Sequence, residues 1–270
     1  MKVKLRESRK TERPHISAPL MSVFAAYSRR FVRRNFHSIR ILRSGLPACD
    51  SNRPLVIFLN HASWWDPLVA LLLSRKFFAT HRSFAPIDAA MLERYGVFRR
   101  LGFFGIEKNT LQGTRSFLQI SRRILSFPRH ALWITPQGRF MDVRERPLRF
   151  HEGLGALAER EPESSFIPLA IEYTFWTEPR PEILVAFGDP ILPRHELERT
   201  AVEWTQILGE ALEATQNQLA ACSCRRDYDE WIFVNQGKSG VNAIYDSWQH
   251  FRARLRGEGF IADHQPEVRR

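Results

Sequence analysis

Residues 55–73, LVIFLNHASWWDPLVALLL, decide the fold class of the chain. The apolar run 55–59 is typical of a strand that is buried on both faces, as in a parallel sheet. From Asp66 to Ser74 the pattern predicts a helix, with Pro67 in the first turn, where a missing N–H costs nothing. A buried strand that leads through a short loop into a helix is the unit from which α/β sheets are built.

The same alternation continues along the chain. Further strands are predicted at residues 103–106, 131–135, 166–173 and 183–187, and helices at 111–126, 152–160 and 195–221. Strands that alternate with helices favour a mostly parallel sheet flanked by helices, so the predicted fold class is α/β. We expect a basic tail and an amphipathic, membrane-associating helix in 1–50, the main domain in 51–220, and a C-terminal helical extension in 221–270.

The net charge indicates the class of partner, and the cysteines indicate the redox compartment. The 270-residue chain has 40 Lys and Arg against 29 Asp and Glu, a net charge of +11. This favours an anionic partner such as nucleic acid, a phospholipid surface or an acidic carrier protein. The three cysteines, Cys49, Cys222 and Cys224, match neither a disulfide framework nor a zinc pattern and favour a reducing, cytoplasmic setting. The histidines lack ligand spacing, so no metal is expected.

Residues 20–42 combine an aromatic stripe with many arginines. The stripe recurs at roughly helical spacing and consists of Phe24, Tyr27, Phe31, Phe36 and Ile39. Such a helix fits a lipid interface, where rings sink toward acyl chains and arginines meet anionic headgroups. It fits equally well a helix that packs its rings on the domain. No signal peptide is recognised and no apolar run approaches the roughly 20 residues that span a bilayer, so a peripheral membrane protein is expected.

The loop after the first strand carries a histidine and a carboxylate. His61 stands at the carboxyl end of that strand, where open α/β sheets place reactive groups. A histidine can take a proton from a hydroxyl near neutral pH, and a carboxylate such as Asp66 can accept its other ring N–H and fix the tautomer. A short loop can join the two. For this pattern alone, a loop histidine and an aspartate at a helix start are the simpler interpretation.

Four ordered blocks favour the catalytic interpretation, because they resemble the PlsC-like lysophosphatidate acyltransferase family. The family's Asn-His-x4-Asp-Pro matches residues 60–67, and its Gly-x3-hydrophobic-acid-base block is similar to 102–108. Its Pro-Glu-Gly-Thr-Arg block resembles TPQGR at 135–139, and its hydrophobic-Pro-hydrophobic strand resembles 167–169. The stretch 149–153 is similar to the family's Phe-x-x-Gly at a helix start.

The resemblance implies an acyltransferase domain that needs neither a metal nor a cofactor. His61 is then the general base on a lipid hydroxyl and Asp66 orients it, with acyl-CoA or acyl carrier protein as the acyl donor and a lyso-lipid as the acceptor. The substrate-binding residues implied are Asn60, Lys108, Gln137, Gly138 and Arg139. Backbone donors near Gly138 are expected to hold the oxyanion, because glycine allows a close approach.

Departures from the family pattern fall on the acceptor site. Gln137 stands in place of a glutamate and lacks its charge, and Lys108 replaces a planar arginine fork by a point charge. Arg139 and Phe140 stand where the family has Thr and Arg, so the cation moves by one position. Two acceptor classes therefore stay open: a lysophospholipid, and a non-phosphate lipid such as an amino-acid-derived or glycosylated one.

Two other classes of function compete with this interpretation. A nucleic-acid-binding protein is indicated only by the net charge and the Arg-rich helices, without a recognisable motif, so no nucleic-acid partner is expected. A catalytically inactive lipid-binding relative is disfavoured because His61 and Asp66 are both present. The expected partners are an anionic membrane surface, an acyl donor and a lyso-lipid, with Trp64 and Trp65 flanking the entrance of the site.

Overall fold

Eight strands and six α-helices make up the described part of the chain, which in the computed structural model comprises residues 14–48, 50, 52–193 and 198–237. The helices are α1 (Ala18–Asn35), α2 (Asp66–Phe77), α3 (Ala89–Arg94), α4 (Leu111–Leu125), α5 (Gly153–Arg160) and α6 (Ala201–Arg225). The strands are β1 (Ser38–Leu42), β2 (Leu55–Leu59), β3 (Arg82–Asp88), β4 (Phe103–Ile106), β5 (His130–Ile134), β6 (Ser165–Thr174), β7 (Glu182–Phe187) and β8 (Trp231–Gln236).

The strands form one sheet in the order β4-β3-β5-β2-β6-β7-β1-β8. Strand β2 is paired in parallel with β5 on one side and β6 on the other, which sets Leu55 opposite Ala131 and Ser165. Only the pairings β6–β7 and β1–β8 are antiparallel among the described strands. The predicted α/β class, a mostly parallel sheet flanked by helices, is confirmed.

The two faces of β2 explain why its sequence is apolar without interruption. Leu55, Ile57 and Leu59 belong to a core layer that includes side chains of α1 and α2. Val56 and Phe58 belong to the opposite layer, with side chains of α4, α5 and α6. Because successive side chains of a strand point to opposite faces, covering both faces leaves no position for a polar residue. The loop that follows β2 is thereby fixed to a rigid base.

The N-terminal helix ends earlier than the aromatic spacing predicted. Helix α1 stops at Asn35, and residues 38–42 form β1, which is buried along its whole length. The predicted helix over 36–42 is therefore wrong. Ile39 belongs to the sheet core, where β1 pairs with β7 and β8, so its apparent helical spacing was a coincidence of strand and helix periods. The sheet consequently extends outside the predicted main domain of 51–220.

The C-terminal region also differs from the sequence-based expectation. Of the predicted helical extension over 221–270, only the last residues of α6, up to Arg225, are helical in the described part of the chain. A short 3₁₀ turn, Tyr228–Glu230, then leads into β8, which pairs with β1. Residues 238–270, like the basic tail over 1–13, lie outside the described residues.

Local signals fix where the helices begin. Pro67 occupies the first turn of α2 as predicted. Helix α6 begins at Ala201 rather than at residue 195, because Thr200 and Glu203 form a reciprocal capping box. Strand β3 was not predicted, since Pro86 and a polar start interrupt its apolar pattern. Across the described residues, no helix has both the length and the apolarity needed to cross a membrane.

Candidate active site

The loop between β2 and α2 brings His61 and Asp66 into direct contact. The ring nitrogen Nδ1 of His61 and the carboxylate oxygen Oδ2 of Asp66 lie 2.7 Å apart. Asp66 is 1% exposed, whereas the His61 side chain is 20% exposed. An ionised carboxylate only accepts hydrogen bonds, so the hydrogen lies on Nδ1, and in the neutral imidazole Nε2 is the nitrogen with the free lone pair. The carboxylate that orients the ring is buried, whereas the ring is partly exposed.

Asp66 is held by donors from two parts of the chain. Its Oδ2 also accepts the backbone N–H of Ser63 at 3.0 Å, and its Oδ1 accepts the hydroxyl of Tyr173 at 2.6 Å. Burial, and next the charge of Asp66, raise the pKa of Tyr173 well above its usual value, so the hydroxyl stays protonated and donates. The sequence interpretation missed Tyr173, although a polar side chain near the carboxyl end of an apolar strand was a usable signal.

The backbone of His61 is hydrogen-bonded to two residues in and just after the segment TPQGR at 135–139. Its N–H donates to Oε1 of Gln137 at 2.9 Å, and its carbonyl accepts the N–H of Met141 at 2.9 Å. Gln137 is 5% exposed. The loss of charge relative to glutamate therefore leaves an oxygen acceptor in place. Gln137 is thus a buried residue that bonds to the backbone of the loop carrying His61.

Asn60 has a comparable place next to the histidine. Its side-chain amide donates to the carbonyl of Ile171 at 2.9 Å and accepts the N–H of Ile171 at 2.8 Å. It is 2% exposed. Two bonds to one residue of β6 extend the parallel pairing of β2 beyond its last strand residue. Asn60 and Gln137, both predicted to bind substrate, thus fix the loop that carries His61.

Gly138 occupies a tight turn beside a second histidine. Its φ of +66° lies in the left-handed region, and a Cβ at this position would lie 2.7 Å from Nε2 of His151. The N–H of Gly138 donates to the carbonyl of Thr135 at 3.1 Å. The N–H of Gly138 is thus used within the turn, and the prediction that backbone donors near Gly138 hold the oxyanion stays a prediction. His151 was not singled out from the sequence.

The two predicted cations are positioned differently. Nζ of Lys108 donates to the carbonyl of Gly138 at 3.2 Å and lies 3.8 Å from Oδ2 of Asp88. Lys108 is thus next to the segment 135–139, but the carboxylate of Asp88 partly neutralises its positive charge. Arg139 is exposed at the protein surface. Of the residues predicted for the acceptor site, Lys108 contacts Gly138, Arg139 follows it at the surface, and Asn60 and Gln137 are buried.

One aromatic ring contacts His61, and two more belong to the same loop. The ring of Phe140 lies 4.3 Å from the imidazole, centroid to centroid, and is 58% exposed. Trp64 is 65% exposed, whereas Trp65 packs against Phe31 of α1 at 5.1 Å. The predicted tryptophan pair at the entrance is therefore divided between a surface ring and a ring that holds α1 in place.

In the part of the chain that the structure describes, no three His, Cys, Asp or Glu side chains come together as a metal site. The candidate site itself contains a histidine, a buried carboxylate hydrogen-bonded to it, and nearby backbone and basic groups. This set suits proton transfer from a hydroxyl.

A sequence model of the acyltransferase family matches residues 33–172, which is more than half of the chain. The matched segment contains the His61–Asp66 pair and all the blocks around it. The chain belongs to the acyltransferase family. It is therefore an enzyme that transfers acyl groups, on a fold and with a loop geometry that agree with that activity. The comparison with curated proteins found no match.

Proposed function

We propose that the enzyme transfers a fatty-acyl group from acyl-CoA or acyl carrier protein to the hydroxyl of a lyso-lipid, with His61 as general base and Asp66 as its orienting partner. The observation that carries the proposal is the 2.7 Å contact between His61 Nδ1 and Asp66 Oδ2 at the carboxyl end of the central strand. It favours one tautomer of the imidazole, with the hydrogen on Nδ1, and the His61 side chain is 20% exposed.

The reaction needs no covalent intermediate on the enzyme. The acceptor hydroxyl gives its proton to Nε2 of His61 while its oxygen bonds to the thioester carbonyl carbon. The C–S bond then breaks, the thiolate takes the proton back from the imidazolium, and the ester and free thiol leave. Asp66 stays ionised and stabilises the imidazolium during the transfer. No metal or further cofactor enters this balance.

Replacing the general base tests the proposal. His61→Ala is expected to lower turnover by roughly 10²–10⁴-fold or more, because a positioned base supplies a factor of that size. Transfer of a radiolabelled acyl group to a lyso-lipid in detergent micelles measures it, with circular dichroism to show that the variant is folded. His15→Ala, at an exposed histidine on the N-terminal segment, is the matched control. Near-normal transfer by folded His61→Ala would rule the proposal out.

A second acceptor class is favoured by the groups around His61. The ring of Phe140 covers one side of the imidazole, and Lys108 faces Asp88 and the Gly138 carbonyl. An uncharged acceptor headgroup suits an apolar ring better than a phosphate does, because a phosphate there loses hydration without a full set of cationic partners. We propose a non-phosphate lyso-lipid, such as an amino-acid-derived or glycosylated lipid, as the alternative acceptor.

A panel of acceptors with equal acyl chains separates the two classes. Lysophosphatidate, lysophosphatidylglycerol, monoacylglycerol and a glycosylated monoacylglycerol are compared by kcat/KM with each acyl donor. The variant Phe140→Arg restores a cation beside His61 and is expected to raise the relative rate with lysophosphatidate. A wild-type preference for lysophosphatidate would reject the alternative and retain the lysophospholipid acceptor.

A row of aromatic rings supports our proposal that the enzyme binds to the cytoplasmic surface of the membrane. Consecutive ring contacts of 5.1–6.4 Å connect α3 and its following turn to α1 and to the catalytic loop. We call this row the aromatic ridge; it consists of Tyr95, Phe98, Phe24, Tyr27, Phe31, Trp65 and Trp64. Tyr27 is 53% exposed and Trp64 is 65% exposed, and the exposed arginines nearest in sequence are Arg29, Arg30, Arg33, Arg34, Arg94, Arg99 and Arg100. Exposed rings beside arginines suit an anionic lipid interface.

Vesicle flotation tests the membrane proposal. Wild-type protein is expected to float with vesicles that contain phosphatidylglycerol and much less with pure phosphatidylcholine. Reversing Arg30 and Arg33 to Glu is expected to weaken binding by about 1 kcal/mol or more per charge. Tyr27→Ala weakens it at high salt as well, and Phe127→Ala, a half-exposed ring outside the ridge, serves as control. Equal flotation of all variants contradicts the proposal, and tight salt-dependent binding to RNA in a gel shift favours the nucleic-acid alternative instead.

A further inference from the structure

We propose that Tyr173 is a positioning residue of the acyl-transfer reaction, whose hydroxyl fixes the Asp66 carboxylate in the orientation that holds His61. The proposal rests on the roles proposed above for His61 and Asp66. Tyr173 does not touch the substrate; it acts on the base through Asp66. The residue stands at the carboxyl end of β6, next to the strand that carries His61.

The first argument is the division of labour between the two carboxylate oxygens. Oδ2 accepts from His61 Nδ1 and from the Ser63 N–H, while Oδ1 accepts from the Tyr173 hydroxyl at 2.6 Å. Asp66 is 1% exposed, so bulk water does not replace a lost donor. Without the hydroxyl, a buried carboxylate oxygen loses its hydrogen bond and the carboxylate plane is free to rotate away from His61. A hydrogen bond to a charged group is the strong kind.

The second argument is how firmly the tyrosine ring is held. Its centroid lies 5.8 Å from that of Phe36, and Phe36 meets Trp65 edge to face at 4.8 Å. Trp65 in turn precedes Asp66 at the start of α2. The ring is thus fixed between the segment that joins α1 to β1 and the loop that carries the catalytic pair. The packing of the ring therefore fixes the position from which its hydroxyl donates to Asp66.

The third argument is chemical. When His61 takes the proton of the acceptor, Asp66 must remain ionised to stabilise the imidazolium. A neutral hydroxyl stabilises the carboxylate without cancelling its charge, whereas an arginine or lysine in the same place would compete with the imidazolium. Because burial and the charge of Asp66 raise the pKa of Tyr173, the hydroxyl keeps its hydrogen throughout the reaction.

Tyr173→Phe removes the hydroxyl and keeps the ring. We expect kcat to fall by about 10- to 100-fold, with KM for donor and acceptor within about twofold, because the lost bond is to a charged group that acts in the transition state. Tyr228→Phe, which removes a hydroxyl that contacts Thr177, is the matched control and is expected to keep wild-type kcat. Rates are expressed per folded molecule, with the folded fraction measured by thermal unfolding under assay conditions.

A double-variant cycle separates positioning from a general structural role. If Tyr173 acts through Asp66, Tyr173→Phe lowers kcat in the wild type but has almost no further effect in an Asp66→Asn background. Equal effects in both backgrounds, or a Tyr173→Phe enzyme with kcat within twofold of wild type, would overturn the proposal. These outcomes leave the proposed function intact as long as His61→Ala is inactive. An active His61→Ala enzyme would instead remove the proposed function itself.

Discussion

Histidine and carboxylate side chains meet at two places in the described chain, and the two places differ in how exposed the imidazole is. In the loop after β2, His61 lies 2.7 Å from Asp66 and is 20% exposed. At the start of β1, His37 lies 3.7 Å from Glu182 and 3.9 Å from Glu178, and its side chain is 1% exposed. The residue types alone do not distinguish the pairs. What distinguishes them is the short contact at Nδ1 of His61 together with the partial exposure of its side chain.

The buried pair is part of a structural cluster. Glu182 accepts from the guanidinium of Arg40 at 3.3 Å and from the hydroxyl of Ser38. The Arg40 guanidinium also lies over the rings of Trp176, Tyr228 and Phe233, at 5.2, 5.0 and 4.4 Å. These contacts join β1 to β7 on one side and to β8 on the other. We infer that this cluster secures the edge of the sheet where β1 pairs with β8, whereas we propose a catalytic role only for the His61–Asp66 pair.

The largest expected effect concerns Asp66, the carboxylate that we propose orients His61. Asp66→Asn is expected to lower kcat by roughly 10²–10⁴-fold, because an amide that donates to His61 favours the wrong tautomer. Steady-state acyl transfer with saturating donor and acceptor measures it. In the buried pair, Glu182→Gln is expected to leave kcat within about threefold of wild type. Comparable losses in the two variants would remove the functional distinction between the pairs.

The next effect is on stability and falls on the buried pair. Glu182→Ala is expected to lower the free energy of unfolding by about 3–5 kcal/mol, because it leaves the buried guanidinium of Arg40 without its carboxylate. Urea unfolding followed by circular dichroism measures the change, with Glu210→Ala on the surface of α6 as the control. A change of less than about 1 kcal/mol would mean that the aromatic rings alone hold Arg40.

Removing the buried imidazole should have a smaller effect. His37→Leu keeps the volume but deletes the ring between two carboxylates, and we expect a loss of about 1–3 kcal/mol in unfolding free energy with kcat unchanged. The same urea titration and acyl-transfer assay apply, with His15→Leu as the exposed control. A marked fall in kcat per folded molecule would show that the buried cluster affects the active site through Phe36, the residue that precedes His37 in the chain.

The smallest expected effect appears at alkaline pH. The pKa of Tyr173 is raised in the folded state, so its stabilising contribution is complete below the unfolded value of about 10 and is lost as the pH rises from there toward the folded pKa. In that window the unfolded chain loses the proton first, and the free energy of unfolding falls by up to about 1.4 kcal/mol per pH unit. Tyr173→Phe lacks this component, so its stability should fall less steeply above pH 10 in paired urea titrations.

Sequence reasoning recovered the elements whose signals are local. The run 55–59 and the proline-started helix at Asp66 were predicted with their correct starts, and the short loop brought His61 and Asp66 together. Strands β1, β3 and β8 were missed. Strand β3 is interrupted by Pro86 and polar residues, β8 was interpreted as part of a helical extension, and β1 was concealed by an aromatic spacing that also fits a helix.

The partners of the candidate pair could not be predicted from local patterns. Tyr173 lies 107 positions after Asp66, and Gln137 lies 76 positions after His61. The contact of Tyr173 depends on the sheet order that places β6 beside β2, and that of Gln137 on β5, which pairs with the other side of β2. The same holds for Lys108, whose ammonium meets the Gly138 carbonyl 30 positions away. Spacing identifies side chains of the right chemistry, but it does not say which of them bind substrate and which fix the loop.

The separation along the chain between Asp66 and its hydroxyl partner has a consequence for synthesis at the ribosome. His61 and Asp66 emerge within five positions of each other, so their bond can form early in a nascent chain. The bond to Oδ1 of Asp66 can form only after residue 173 has left the exit tunnel and β6 has docked beside β2. Long-range strand pairing of this kind is a slow step of folding. The candidate catalytic pair thus receives its full set of hydrogen bonds only when the centre of the sheet is complete.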